Sequence, residues 1–230
     1  MNTARVRRSG WLLALVLAPA ALVPACAAGP AERGRPAERT APGTRWPEGS
    51  THGPWHVTYD GGGAVTERDG TLVLAPRPAR HADETHAALV TSVEGYGDLT
   101  YRLRMRTARR LREPEPNPWE AAWAVWHYTD DTHFYYLVLK PNGWELGKAD
   151  PACPGNQCFL ATHHGSYPVD DWHDVEVRQT GATMTVRVDG EPLVTHTDRT
   201  RPYPRGTVGL YTEDAVAEFR DISVRRRDGT

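Results

Sequence analysis

The residues best placed to do chemistry fall in one stretch, Trp119 to Lys148, which reads WEAAWAVWHYTDDTHFYYLVLKPNGWELGK. His127, Lys140, Glu145 and Lys148 stand there among aromatic and aliphatic residues. Flat rings stack on the apolar faces of sugars, while imidazole, ammonium and carboxylate groups hydrogen-bond hydroxyls, so such a mixture suits a polyol-binding surface. What decides the matter is which of these side chains share a face.

Two hairpins must position them. With Asp130-Asp131 as the first turn, His127 pairs with Phe134, Val125 with Tyr136 and Trp123 with Val138. Alternation then puts those six on one face, with Trp126, Tyr135, Ala124, Leu137, Ala122 and Leu139 on the other. With Asn142-Gly143 as a second two-residue turn, Lys140 faces Glu145 on the side of Tyr136 and His127. A three-residue Pro141-Asn142-Gly143 turn would bring Trp144 and Lys148 there instead. The candidate ligand-binding set is therefore Trp123, His127, Phe134, Tyr136, Lys140 and Glu145. The plainer alternative is a sheet face covered by loops, its aromatics serving as packing and Lys140-Glu145 as a cross-strand ion pair.

Catalysis asks for more. Glycosidic hydrolysis generally uses two carboxylates flanking the bond, and this face offers Glu145, with Glu120 and Asp150 near the strand ends. A lyase could pair His127 as base with a tyrosine as acid. If the protein is an enzyme, Glu145 and His127 are its catalytic candidates. The face as it stands is better suited to holding a ligand than to cutting one.

Other constellations are weaker. Glu213-Asp214 is the first candidate for a bound calcium ion, with Asp130-Asp131 as another, since extracellular β-sandwiches use carboxylates to clamp loops around hard cations. His163-His164, and His81 with His86, read as solvated loop histidines rather than zinc ligands. The arginine row Arg102, Arg104, Arg106 could attract an acidic polysaccharide, but a solvated strand face accounts for it as well.

The N-terminus carries an export pattern: Arg5, Arg7 and Arg8, then apolar residues from Trp11 to Leu17, then small residues. Leu22-Val23-Pro24-Ala25-Cys26 resembles a bacterial lipobox, which makes residues 1–25 a lipoprotein-type signal peptide and Cys26 the lipidated residue. Ordinary secretory cleavage after Ala27 is the alternative. Residues 26–45, rich in Ala, Pro, Gly, Arg and Glu, bury too little surface to fold and read as a flexible tether. The expected location is outside the cytoplasm, anchored to the membrane through lipid alone or secreted. In that compartment Cys153 and Cys158, five positions apart in CPGNQC, are expected to pair and staple one loop.

Composition narrows the remainder. A net charge of −2 gives no global basic surface for nucleic acid. Residues 46–230 are long enough for one sizeable core, and a monomer is expected. The pattern is one of short strands and turns. Leu99, Tyr101, Leu103 and Met105 alternate with Thr100, Arg102, Arg104 and Arg106, and Asp189-Gly190 marks a tight hairpin. No window reads as an amphipathic helix, so the fold class is all-β, a sandwich or jelly roll.

The run Trp172-His173-Asp174-Val175-Glu176-Val177, then Gly181, Val186-Arg187-Val188-Asp189-Gly190, Gly206-Thr207-Val208-Gly209-Leu210-Tyr211 and Ala217-Glu218-Phe219-Arg220-Asp221-Ile222-Ser223-Val224 resembles the concanavalin A-like (laminin-G-like) lectin/glucanase superfamily. More narrowly it resembles the secreted 3-keto-disaccharide hydrolase-type domains, over Trp46 to Arg226. The resemblance implies a jelly-roll sandwich of two antiparallel sheets with a ligand groove on the concave one, and carbohydrate as partner. It implies, as an alternative, an enzyme acting on glycosides. The E-x-D-x-E pattern of the glucanase branch is absent from the chain. The Tyr-Glu-x-Gln-like strand of the narrower group has as its counterpart Phe134-Tyr135-Tyr136-Leu137-Val138, without carboxylate or amide. Binding is therefore expected over hydrolysis.

Overall fold

The structure, a computed structural model, describes residues 43–113 and 115–227. The expected signal peptide, Cys26 and all but the last residues of the tether lie outside the described residues. The strands are β1 (Thr44–Trp46), β2 (Thr51–His52), β3 (Trp55–Tyr59), β4 (Ala64–Arg68), β5 (Thr71–Ala75), β6 (Ala87–Tyr96), β7 (Leu99–Arg110) and β8 (Ala122–Asp130). They continue with β9 (His133–Lys140), β10 (Gly143–Ala149), β11 (Gln157–His163), β12 (His173–Thr180), β13 (Thr183–Val188), β14 (Glu191–Thr197), β15 (Gly206–Glu213) and β16 (Ala215–Arg226). Thr44 and Arg45, which composition assigns to the tether, are drawn into β1 by pairing with β4. One 3-10 turn, Pro154–Asn156, is the helical element among the described residues.

These strands form two antiparallel eight-stranded sheets, in the orders β1-β4-β5-β16-β7-β12-β13-β14 and β11-β10-β9-β8-β15-β6-β3-β2. Both orders leap back and forth in sequence, the signature of a jelly roll, and the all-β class read from the sequence is the one observed. Alternation drives the packing. In β7, Leu99, Tyr101, Leu103 and Met105 are buried and the residues between them less so. Asp189 and Gly190 take φ of 52° and 83°, the left-handed pair that a tight hairpin between β13 and β14 requires.

The inner faces of both sheets close on one core containing Trp126, Tyr135, Leu137, Tyr101, Phe219 and Leu74, each below 2% exposure. Each such side chain contributes about 1.5–3 kcal/mol by leaving water. Its few polar atoms are satisfied: Trp126 Nε1 donates to Gln179 Oε1 at 2.6 Å and the Tyr101 hydroxyl to the Gly209 carbonyl at 3.1 Å.

The arginine row lies on the outer face of the first sheet and is matched by acids on the neighbouring strands and on the segment leading into β12. Arg102 meets Glu176 at 2.5 Å, Arg104 meets Asp174 at 3.0 Å, and Arg106 meets Glu218 at 2.7 Å and Asp170 at 2.8 Å. Register puts Arg102 opposite Glu176 and Arg104 opposite Asp174, so the row is a cross-strand ion-pair ladder.

Candidate functional site

The second sheet has an apolar outer face of its own. Ala121, Trp123, Val125, Tyr136 and Val138 are buried there, with Trp119, Tyr128, Phe134 and Tyr211 packed over them. Directly paired residues share a face, so the ladders can be followed across the sheet. Glu145 pairs with Val138, Val138 with Trp123, Trp123 with Tyr211, Tyr211 with Leu89, and Leu89 with Tyr59. The Trp123 ring lies 4.6 Å from that of Tyr136 and 5.4 Å, edge-on, from that of Tyr211. This gives an aromatic floor with a carboxylate at one end.

Around that carboxylate the polar groups converge. The Tyr136 hydroxyl donates to Glu145 Oε1 at 2.5 Å, and Lys140 Nζ to Oε2 at 3.0 Å. Gln157 Nε2 donates to the Tyr136 hydroxyl at 2.5 Å and lies 3.3 Å from Glu145 Oε1. Glu145 is only 6% exposed, so its charge rests on these donors rather than on bulk water. Glu145 and Tyr136 come from adjacent strands, while Gln157 comes from β11, next to the Cys153–Cys158 disulfide. That disulfide is the pairing expected from the cysteine spacing.

Five of the six expected residues, Trp123, Phe134, Tyr136, Lys140 and Glu145, share this face. His127 does not. The β8–β9 pairing follows the expected register from Trp123 to Trp126, then jumps to Asp130 opposite His133. The turn is therefore Asp131-Thr132 instead of Asp130-Asp131, and His127, Tyr128 and Thr129 together oppose Phe134. The excess forms a bulge, with His127 at φ 50°. Its imidazole is 1% exposed, with Nδ1 2.8 Å from the Tyr203 carbonyl and Nε2 2.9 Å from that of Gly97. Burial lowers its pKa against the pull of those two carbonyls. Tyr128 takes the place expected of His127, its ring 5.9 Å from that of Phe134.

The second hairpin, by contrast, turns one step early, at Pro141-Asn142, with Gly143 opposite Lys140 and Glu145 opposite Val138. A shift of one residue on each strand preserves every side chain's face. Lys140 and Glu145 consequently meet as diagonal neighbours. Lys148 points the other way, into the molecule, where Nζ donates to Asp198 Oδ2 at 2.8 Å and the Thr200 carbonyl at 2.5 Å.

The bulge has a further effect. It bends the hairpin tip across the outer face until Asp131 Oδ1 accepts from both Tyr128, at 2.9 Å, and Tyr59, at 3.3 Å. Tyr59 belongs to β3, separated from β8 by β15 and β6. Burial and the nearby Asp131 carboxylate hold the Tyr59 hydroxyl well above its ordinary pKa.

The calcium candidates are otherwise engaged. Asp214 Oδ1 accepts from the Ala79 and His86 N–H groups at 3.1 and 3.3 Å, and Oδ2 from Arg112 at 2.9 Å. Arg112 also pairs with Glu120. Burial raises the Asp214 carboxyl, and an internal guanidinium already supplies its countercharge. Glu213 projects onto the aromatic face, where it accepts from the Tyr211 hydroxyl at 2.7 Å. Among the described residues, Asp150, Cys153 and Cys158 also cluster, but the two sulfurs are bonded to each other and Asp150 pairs with Arg201 at 2.9 Å.

Sequence spacing missed Gln157, Tyr211 and Tyr59, and offered Glu213 only as a calcium ligand, because they arrive from other strands of the sheet. Alternation within β15 and β11 assigns faces only once their neighbours are known.

A two-sheet jelly roll with an aromatic, carboxylate-ended outer face defines the class, and sequence comparison places the chain within it. Residues 44–225 match the family model of the 3-keto-alpha-glucoside-1,2-lyase-like domain, and the chain belongs to that family. Solved structures with similar folds include the carbohydrate-binding module CBM66 from Bacillus subtilis, at 13% identity and TM-score 0.58, covering 75% of this chain and 95% of the module. The Bacillus licheniformis beta-glucanase is similar at 12% identity and TM-score 0.53, covering 81% of this chain and 99% of the enzyme. A glycosidic hydrolase is similar at 13% identity and TM-score 0.53, covering 83% of this chain and 99% of its own. At such identities the likeness is one of fold. No curated protein matches the sequence.

Proposed function

We propose that the protein binds carbohydrate on the outer face of the second sheet, with Glu145, Lys140, Tyr136 and Gln157 as hydrogen-bonding partners beside the half-buried rings of Trp119, Phe134 and Tyr211 that cover Trp123. The observation that carries this reading is the Tyr136–Glu145–Lys140–Gln157 network at the edge of an aromatic surface. It supplies donors and acceptors for hydroxyls beside rings for the sugar's apolar face. The family, and the carbohydrate-binding module and glycosidases among the similar folds, point the same way. A glycan array with wild type and Glu145→Gln tests it: wild type should bind a defined subset that the variant loses. An array blank for wild type would overturn the reading.

A second reading is favoured by the 2.5 Å contact between the Tyr136 hydroxyl and Glu145 and by the family description. In a 3-keto glucoside the ketone acidifies the hydrogen on C2. Glu145 would take that proton, the C2–H electron pair would form the C1–C2 double bond, and the C1–O bond would break as Tyr136 protonates the departing oxygen. Hydrolysis is less well served. Glu145 and Glu213 stand three strand spacings and two residues apart, about 16 Å at the backbone, beyond the roughly 9.5 Å of an inverting pair. Incubation with a 3-keto glucoside should release the aglycone and an unsaturated sugar, and Glu145→Gln should stop it.

The proposed location is outside the cytoplasm, with Cys26 as the lipid anchor. The Cys153–Cys158 disulfide supports an oxidising compartment. Palmitate labelling of the full chain should disappear in Cys26→Ser.

A further inference from the structure

The second sheet ends at β11, and register places Gln157, Phe159 and Thr162 of that strand opposite Ala149, Gly147 and Glu145. Gly147 in turn pairs with Tyr136, so all three β11 side chains join the face that carries the polar network. Gln157 is already part of it. Phe159 is the unexplained member: it is 62% exposed, the most open large apolar side chain among the described residues. Nothing on β10 separates it from the Tyr136 phenol, because the residue between them is a glycine. The preceding residue, Cys158, is fixed by the disulfide, so the ring is presented from an anchored backbone. Edge strands normally carry charged residues that discourage aggregation, so an exposed phenylalanine on β11 calls for an explanation. Register places Phe159 on the face of the polar network, across Gly147 from Tyr136.

We propose that Phe159 is a stacking subsite for a second sugar residue of an oligosaccharide whose first residue is held at Glu145, Lys140 and Gln157. The inference rests on the carbohydrate reading above. Phe159 and Glu145 lie one strand and two residues apart, roughly 8 Å at the backbone, so the two subsites serve different residues of one chain. The occupant is a glycan because the same face supplies hydroxyl-binding groups beside the ring, and a rigid aromatic held open to water gains most by covering an apolar sugar face.

The test is an array of oligosaccharides graded from mono- to hexasaccharide, with wild type, Phe159→Ala, Phe159→Trp and Glu145→Gln. Phe159→Ala should weaken binding about tenfold for the longer members and less than twofold for monosaccharides. Phe159→Trp should keep the wild-type pattern, and Glu145→Gln should lose binding at every length. Wild-type behaviour of Phe159→Ala at all lengths, alongside loss in Glu145→Gln, would overturn the subsite and leave the carbohydrate reading standing. A fall in the melting temperature of Phe159→Ala with unchanged binding would assign the ring to packing and overturn it likewise. A wild type that binds no member of any series would overturn the carbohydrate reading and the subsite together.

Discussion

Gly147 lies directly across the β9–β10 ladder from Tyr136, and a Cβ placed on it would stand 2.3 Å from the Tyr136 hydroxyl and 2.8 Å from the Cys158 carbonyl oxygen. The missing side chain is what lets the phenol lie over β10 and reach both Glu145 and Gln157. Gly147→Ala must displace the ring or the β11 backbone, at a cost of about 1–3 kcal/mol. Thermal unfolding should show that loss, and the glycan array should show weakened binding in protein that is still folded.

Tyr136→Phe separates the ring from its hydroxyl. The contact with Trp123, 4.6 Å between ring centroids, survives, while Glu145 loses a donor and Gln157 an acceptor. Lys140 at 3.0 Å still faces the carboxylate. Stability should fall by only about 1 kcal/mol. Sugar binding should fall much further, and elimination, if the protein performs it, should be slowed in kcat.

His127 predicts the reverse pattern. Its buried ring bridges the carbonyls of Tyr203 and Gly97, and it does not reach the aromatic face. His127→Ala should cost about 1–3 kcal/mol by leaving buried acceptors unpaired. Glycan affinity per folded molecule should stay at the wild-type value. A selective loss of binding would return His127 to the site.

This contrast shows what the sequence could carry. The strict alternation of β7 and the Asp189-Gly190 turn announce strands and a hairpin, and with them the sandwich. Face membership of Trp123, Tyr136, Lys140 and Glu145 depends only on odd or even position, so it survives even though both turns form one residue away from where they were expected. His127 fails because a bulge changes the count itself, and nothing in Trp126-His127-Tyr128-Thr129 marks which residue will take positive φ. Gln157 and Phe159 were invisible for another reason. Their face is set by a second irregularity, between Leu146 and Gly147, on a strand that a disulfide loop separates from β10.

The buried pair Lys148–Asp198 sets the acid limit of the fold. Burial pushes the Asp198 carboxyl up, but the Lys148 ammonium, the Thr200 N–H and the Tyr135 hydroxyl outweigh it and hold the carboxyl below its usual range. Asp150 is likewise lowered, with burial opposed by the Ala152 N–H and by Arg201 and Lys148. Carboxyls depressed in the folded state contribute stability that is complete above their unfolded value, near 3.9, and lost as pH falls through the folded one. Asp214, raised by burial, works in the opposite sense and blunts the effect. Unfolding free energy should therefore begin to fall below about pH 6.5, where the unfolded chain protonates His127 more readily than the folded one does, and fall more steeply below about pH 4. Asp198→Asn should lower stability by about 3 kcal/mol at neutral pH and flatten the acid limb in urea titrations.

Reduction of Cys153–Cys158 tests how the β11 corner is held. Asp150 N–H donates to the Asn156 carbonyl at 3.1 Å, and the Cys153 N–H to the Asp150 carbonyl at 3.0 Å, so the loop keeps hydrogen bonds of its own without the crosslink. Closing so short a loop is worth about 2 kcal/mol by the entropy of the unfolded chain, a modest part of a domain's stability. The reduced protein, or Cys153→Ser with Cys158→Ser, should remain folded with a lower melting temperature. Gln157 and Phe159 flank Cys158 directly, however, and their placement relies on that anchor. Glycan affinity should drop severalfold on reduction while Glu145→Gln, already without binding, shows no further change. Equal affinity in oxidised and reduced protein would mean that backbone pairing with β10 is enough to hold the corner.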